Sequence, residues 1–176
     1  MSQITTEHKL SKKIIGISDM EVSQDPGELL VTYSLGSCLG VVLYDYINRV
    51  GGLSHIMLPD SGLEKLSSDS LAFNPLKYVD SAMPVLLNEF YEAGGNKRST
   101  CVGVYGGAKL FQQKDMFNIG KRNFAEFRKF IWKEGLLIKH KHVGGTVHRT
   151  VKLFMESGLI KVEVNKEDNI TYQCGR

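Results

Sequence analysis

Cys38 and His55 are the two side chains in this sequence whose chemistry and spacing together suggest a reaction. A thiolate attacks acyl carbons well, but a cysteine of ordinary pKa, about 8.5, is only slightly ionised at neutral pH and needs a base or a cation beside it. An imidazole is the commonest such base. Cys38 lies in the string Leu35-Gly36-Ser37-Cys38-Leu39-Gly40, in which the two glycines allow a tight backbone that exposes the residue between them. Ser37, Gly36 and Ser54 stand in the vicinity where an oxyanion would need hydrogen-bond donors. Thr32, six residues before Cys38, carries a hydroxyl that could orient the imidazole as a third group. The plainer alternatives are a small buried hydrophobe for Cys38 and a satisfied structural histidine for His55.

The elements around these residues decide whether they meet. "CLGVVLYDYINRVGGLSHIML" is two apolar runs joined by a polar turn, which predicts a β-hairpin. With the loop centred on Tyr46 and Ile47, Asp45 faces Asn48, Tyr44 faces Arg49 and Cys38 faces His55, within reach across the strands. Upstream, "KIIGISDMEVS" and "GELLVTYSLG" read as two strands separated by the Asp25-Pro26-Gly27 turn. Downstream, "PDSGLEKLSSDSLAFN" reads as a Ser/Asp-rich loop ending in Asn74-Pro75, an N-cap followed by a proline at the first helical position. The spacing of Leu76, Val79, Met83, Leu86, Leu87 and Phe90 predicts a helix from Pro75 to Ala93, kinked at Pro84. A strand at "TCVGVYGGAKLF", a helix from Gly120 to Glu134 burying Phe124, Phe127 and Ile131, and three strands, "LLIKHKHVGG", "TVHRTVKLFMES" and "LIKVEVN", complete the reading before a polar tail. Strands before, between and after two helices indicate an α+β protein of mixed sheets packed in layers and flanked by helices.

Other chemistries fit less well. Gly36-Ser37-Cys38-Leu39-Gly40 matches a nucleophile elbow with cysteine for serine, but that motif leads from a strand into a helix, and here a β-branched strand follows. His140, His142, His148 and Cys174 have ligand-like types, yet no acidic or cysteine pair completes a set, and a solvated basic strand with Lys139, Lys141 and Arg149 accounts for them; no metal is assigned. Gly106-Gly107 and Gly144-Gly145 lack phosphate-loop spacing and read as turns or close backbone approaches.

The 176 residues, 42% of them hydrophobic, suit one domain over 1–176, with 1–13 and 165–176 expected to be flexible tails. No apolar run approaches the roughly 20 residues of a membrane span, and the start lacks a signal sequence, so a cytoplasmic protein is expected. Cys38, Cys101 and Cys174 are an odd number without paired spacing, which predicts free thiols in a reducing compartment. A formal charge of +3 and a pI of 8.7 are too mild to argue nucleic-acid binding.

The blocks "TYSLGSCLGVVLYD", "GGLSHIMLPD", "KYVDSAMPVLLNEFYEAG", "VYGGAKLF", "NIGKRNF" and "HVGGTVHRTVKLFMESGLIKV" together resemble the CheD family of chemoreceptor glutamine deamidases, over about residues 14 to 164. The resemblance implies a catalytic cysteine, histidine and threonine at Cys38, His55 and Thr32, and a fold similar to the catalytic domains of deamidating bacterial toxins. It implies hydrolysis of glutamine side chains on methyl-accepting chemoreceptors through a cysteine thioester, without cofactor, and association with a CheC-type phosphatase. His148 stands where a smaller or polar residue would be expected, and with Pro84 it bears on partner contacts more than on these three residues. A non-catalytic adaptor that binds receptors or the phosphatase is the competing reading; an intact thiol–imidazole pair favours the enzyme. Lys139, Lys141, Arg149 and Lys152 form a basic strip that could steer toward an acidic receptor helix.

Overall fold

The computed structural model describes residues 10–62, 73–109 and 118–175. Among the described residues ten strands form two five-stranded mixed sheets. The first has the order β1 (Ser11–Ile14), β3 (Glu28–Leu35), β8 (Arg149–Phe154), β9 (Leu159–Val164), β10 (Asp168–Gln173). The second has the order β2 (Asp19–Ser23), β5 (Val50–Ile56), β4 (Leu39–Asp45), β6 (Thr100–Gly106), β7 (Ile138–Val143). Strand periodicity sorts the side chains. Leu30, Leu35, Val151, Leu153, Ile160 and Val162 of the first sheet pack against Val42, Tyr44, Leu53 and Tyr105 of the second. The alternate residues Leu39, Val41, Leu43, Val102 and Val104 face helices α1 (Val79–Glu92) and α2 (Ile119–Lys133) on the other side. The layers are therefore sheet, sheet, helices, the expected α+β arrangement, with both helices on one sheet. Among the described residues no helix is long and apolar enough to cross a membrane.

Several expectations need correction. "KIIGISDMEVS" is two strands in different sheets: β1 runs parallel to β3, β2 pairs antiparallel with β5, and the chain crosses between sheets at residues 15–18, where Ser18 has a φ of 59°. The expected helix start at Asn74 is a single 3₁₀ turn, Pro75–Lys77, with the Asn74 side chain accepting from the Leu76 N–H as a cap should. The α-helix proper begins at Val79 and continues through Pro84. The carboxy-terminal segment is no flexible tail: β10 pairs with β9 from Asp168 to Gln173. At the other end, Ser11, Lys12 and Lys13 pair with β3, while residues 1–9 lie outside the described part. So does most of the expected Ser/Asp-rich loop.

The cysteines also depart from expectation. Cys101 and Cys174 form a disulfide across 73 residues, tying β6 of one sheet to the residue that follows β10 of the other. Sequence spacing could not reveal this pair because only the stacking of the two sheets brings it together. Cys38 is a free cysteine.

Candidate active site

The β4–β5 hairpin carries Cys38 and His55, but its register differs from the expected one. Its loop has four residues rather than two, so Asp45 pairs with Val50, Tyr44 with Gly51, and Gly40, instead of Cys38, sits opposite His55. Asp45 builds the longer loop: its carboxylate accepts from the Ile47 and Asn48 N–H groups and from the Asn48 side chain, and Arg49 takes a φ of 54°. The displacement is two residues. Because side chains alternate with a period of two, an even shift preserves the face of the strand residues. Cys38 itself lies in the bend before β4 and packs against the inter-sheet core, the side on which His55 meets Thr32.

Gly40 lies against the strand that carries the third group. A Cβ there would stand 2.6 Å from Leu35 Cδ1 and 3.6 Å from Thr32 Cγ2, so a side chain at this position would have to displace the Leu35 side chain. β3 is irregular at this point, its pairing with β8 shifting between Thr32 and Leu35 with Ser34 at a φ of 57°. Thr32, fully buried, holds its Oγ1 2.8 Å from His55 Nδ1 and donates to the Ile15 carbonyl at 2.9 Å. A carbonyl can only accept, and a threonine has one hydroxyl proton. Thr32 therefore accepts from His55 Nδ1–H, and the unprotonated nitrogen is Nε2. His55 is 2% exposed, and Nε2 has no hydrogen-bond partner among the described residues. Burial lowers the imidazole pKa from 6.5 to about 4, so the ring is neutral at physiological pH. The chain crossing at residues 15–18 supplies both backbone supports, the Ile15 carbonyl for Thr32 and the Ser18 N–H for the His55 carbonyl.

Cys38 is half-buried beside the inter-sheet core. Burial pushes its thiol pKa up, and its own backbone N–H opposes that rise. Thiol and imidazole thus both rest neutral. Three successive carbonyls of the loop are held: Gly36 by the Ala108 N–H, Ser37 by the Asn123 side chain and Cys38 by the Gly107 N–H. In a trans peptide the N–H points opposite the preceding C=O, so the Cys38 N–H is directed away from Asn123 and α2. Gly106 has a φ of 104°, and any Cβ there would overlap the Cys38 carbonyl oxygen. The Gly106-Gly107 turn, which on sequence had several uses, thus serves as the rest for the cysteine loop.

Ser54 does not join this group. It alternates onto the opposite face from His55, and its hydroxyl donates to the Asp19 carbonyl. Arg149 is not a steering charge either: it is 3% exposed, donating to His142 Nδ1 at 2.6 Å and to the Gly144, Val147 and Gly106 carbonyls. Lys152 pairs with Glu163 at 2.9 Å, which leaves Lys139 and Lys141 as the exposed members of the basic strip. Of the histidine cluster, His140 has a ring nitrogen near the Cys101 and Cys174 sulfurs, while His142 serves Arg149 and His148 is exposed. Sequence reasoning missed the Ile15 carbonyl and Asn123. The first has no side-chain signal at all; the second was visible only as part of "NIGKRNF".

A free thiol, a neutral imidazole with an unprotonated Nε2, and a buried threonine behind it, set on the side of the second sheet that faces the first, are the groups that cysteine–histidine acyl transfer would use. Residues 57–164 match the family described as CheD chemotactic sensory transduction. The chain is 40% identical over 150 residues to a probable chemoreceptor glutamine deamidase CheD 1 of Syntrophus aciditrophicus, covering 85% of this chain and 92% of that protein. It is 38% identical over 152 residues to probable chemoreceptor glutamine deamidases CheD of Solibacter usitatus, with 86% and 88% covered, and of Caldanaerobacter subterraneus, with 85% and 90% covered. The chain belongs to the CheD family.

Proposed function

We propose that this protein hydrolyses glutamine side-chain amides on methyl-accepting chemoreceptors to glutamate, releasing ammonia. The observation that carries the reading is the Ile15–Thr32–His55 chain, which leaves Nε2 as the basic atom on the inter-sheet side, where Cys38 also packs. The names of the relatives supply the substrate class.

Cys38 Sγ adds to the amide carbon as its proton passes to His55 Nε2. Because the resting pair is neutral, this transfer accompanies attack rather than preceding it. The carbonyl oxygen becomes an oxyanion facing the Cys38 N–H, and the new imidazolium is steadied by its Nδ1–H donating to Thr32. Collapse breaks the C–N bond, and Nε2 returns its proton to the departing ammonia. Water, giving a proton to Nε2, adds to the thioester carbon; the C–S bond breaks and the sulfur recovers the proton. One amide and one water become one acid and one ammonia, and each step uses only these groups.

Long helical receptor domains require an accessible nucleophile, in keeping with a half-buried Cys38, and place the reaction in the cytoplasm. Association with a CheC-type phosphatase belongs to the same proposal and is tested by co-purification. The decisive experiment incubates a folded receptor cytoplasmic fragment with reduced protein and follows ammonia together with the mass gain of amide-to-acid conversion at glutamine. Cys38→Ala and His55→Ala should abolish both signals while leaving the fold intact. Tight receptor binding without ammonia release from the wild type would instead establish the adaptor.

A further inference from the structure

α2 meets the candidate site with one face of its first turns. Gly120 and Asn123, three residues apart, share that face. A Cβ on Gly120 would lie 2.6 Å from the Gly107 carbonyl carbon and oxygen and 2.7 Å from the Ala108 oxygen, so helix backbone rests directly on the loop whose N–H groups hold Gly36 and Cys38. This contact sets Asn123 beside the nucleophile loop. Asn123 is fully buried, and its amide nitrogen donates one hydrogen to the Ser37 carbonyl at 2.9 Å and the other to the Met57 carbonyl at 3.0 Å. Ser37 precedes Cys38 directly. Met57 follows His55 by two residues, just past the end of β5.

These two carbonyls lie outside the regular pairing of β4 with β5, which runs from Leu39 to Asp45 and from Val50 to Ile56. One side chain bridges them, and so joins the segment carrying the thiol to the segment carrying the base. The residue type matters. Only a primary amide offers two N–H donors from one atom at this length; aspartate has the same shape but would set a carboxylate against two carbonyl oxygens. Asn123 Oδ1 is buried with no partner among the described residues. A side chain present only to fill space would avoid that cost by being apolar.

The geometry points to Asn123 as a positioning residue of the deamidase, a two-pronged strut that sets the Cys38 loop relative to His55. This rests on the proposed reaction, so its test includes a readout that does not need it. Asn123→Leu keeps volume without donors. Asn123→Asp keeps shape and regains one donor when protonated, which burial should favour below neutral pH. Both variants, assayed per folded molecule, are expected to lose about 100-fold in kcat at pH 7.5 with KM within about twofold. Asn123→Asp is expected to recover part of that rate as pH falls toward 5.5, where the wild type does not gain.

The independent readout is alkylation of Cys38 by iodoacetamide. Releasing the loop should shift the thiol's pH midpoint in Asn123→Leu down toward that of an ordinary exposed cysteine. A folded Asn123→Leu protein with the wild-type alkylation profile overturns the strut, whatever its activity. Wild-type kcat in that variant overturns it as well. If the wild type releases no ammonia from receptors, the deamidase reading fails, and the alkylation profile still decides whether Asn123 positions Cys38. Should Asn123→Leu fail to fold, Asn123→Asp decides: recovery of rate at low pH supports the strut, and a rate that stays flat overturns it.

Discussion

Thr32 Oγ1 stands 2.8 Å from His55 Nδ1 and gives its own proton to the Ile15 carbonyl, so the hydroxyl is the acceptor in its bond to the imidazole. That direction selects the tautomer whose Nε2 carries the lone pair. Replacing Thr32 with valine, nearly the same in shape, removes the acceptor and leaves Nδ1–H buried without a partner, which favours the wrong tautomer. Thr32→Val is expected to lower kcat by about 10²-fold, within the range for a general acid–base group, with Thr32→Ser close to wild type. Equal activity in Thr32→Val and wild type would show that the imidazole is oriented by something else.

The resting state of Cys38 can be read directly. Burial raises the thiol pKa and lowers that of His55, so neither group stabilises the other as an ion. The rate of alkylation should rise with pH through a midpoint above the roughly 8.5 of an ordinary cysteine. A midpoint at or below pH 7 would mean a preformed thiolate–imidazolium pair.

His55 also makes folding depend on pH. Its folded pKa, about 4, lies below the unfolded 6.5, so between those values the unfolded chain binds more protons. Its contribution is fully present above 6.5 and is lost as pH falls toward 4, by about 2 kcal/mol between pH 7 and pH 5. His142, lowered by burial and by Arg149, acts in the same direction. Urea denaturation of wild type and His55→Gln at both pH values isolates the share of His55: the variant should lose less stability on acidification.

Cys101 and Cys174 close a long loop, and reducing them should destabilise the fold by about 4 kcal/mol on the chain-entropy account. Thiol titration of protein denatured without reductant is expected to find one reactive cysteine, Cys38, and three after reduction. Three without reductant would mean that the pair is open in solution. A Cys38→Ala protein should then show none and two.

Gly106 cannot accept a side chain without displacing the Cys38 carbonyl, and its φ of 104° suits only glycine. Gly106→Ala is expected to cost both activity and about 1–3 kcal/mol of stability, the range for backbone forced into a poorly populated region. A Gly106→Ala enzyme with wild-type kcat and melting temperature would remove the turn from the site's support.

Local pattern by itself determined most of the elements of this protein. Apolar runs around a polar turn marked the hairpin strands, helical spacing marked α1 and α2, and the types of Cys38 and His55 suggested a thiol–imidazole chemistry, because each of these signals is local in the chain. The hairpin register was legible only to within its period: Asp45 lengthened the turn, and the shift was an even one, two residues, that set Gly40 opposite His55. What the tertiary structure decided was everything carried by contacts between distant segments. The chain crossing that presents Ile15 to Thr32, the Cys101–Cys174 bond and the reach of Asn123 to Ser37 and Met57 join segments from 17 to 86 positions apart in the chain. Backbone carbonyls leave no trace in residue type, and β10, with its polar exposed face, looked like tail until β9 offered an edge to pair with. Sequence thus singled out the candidate groups, and the stacking of the two sheets decided which imidazole nitrogen is left unprotonated and which residues hold the ring there.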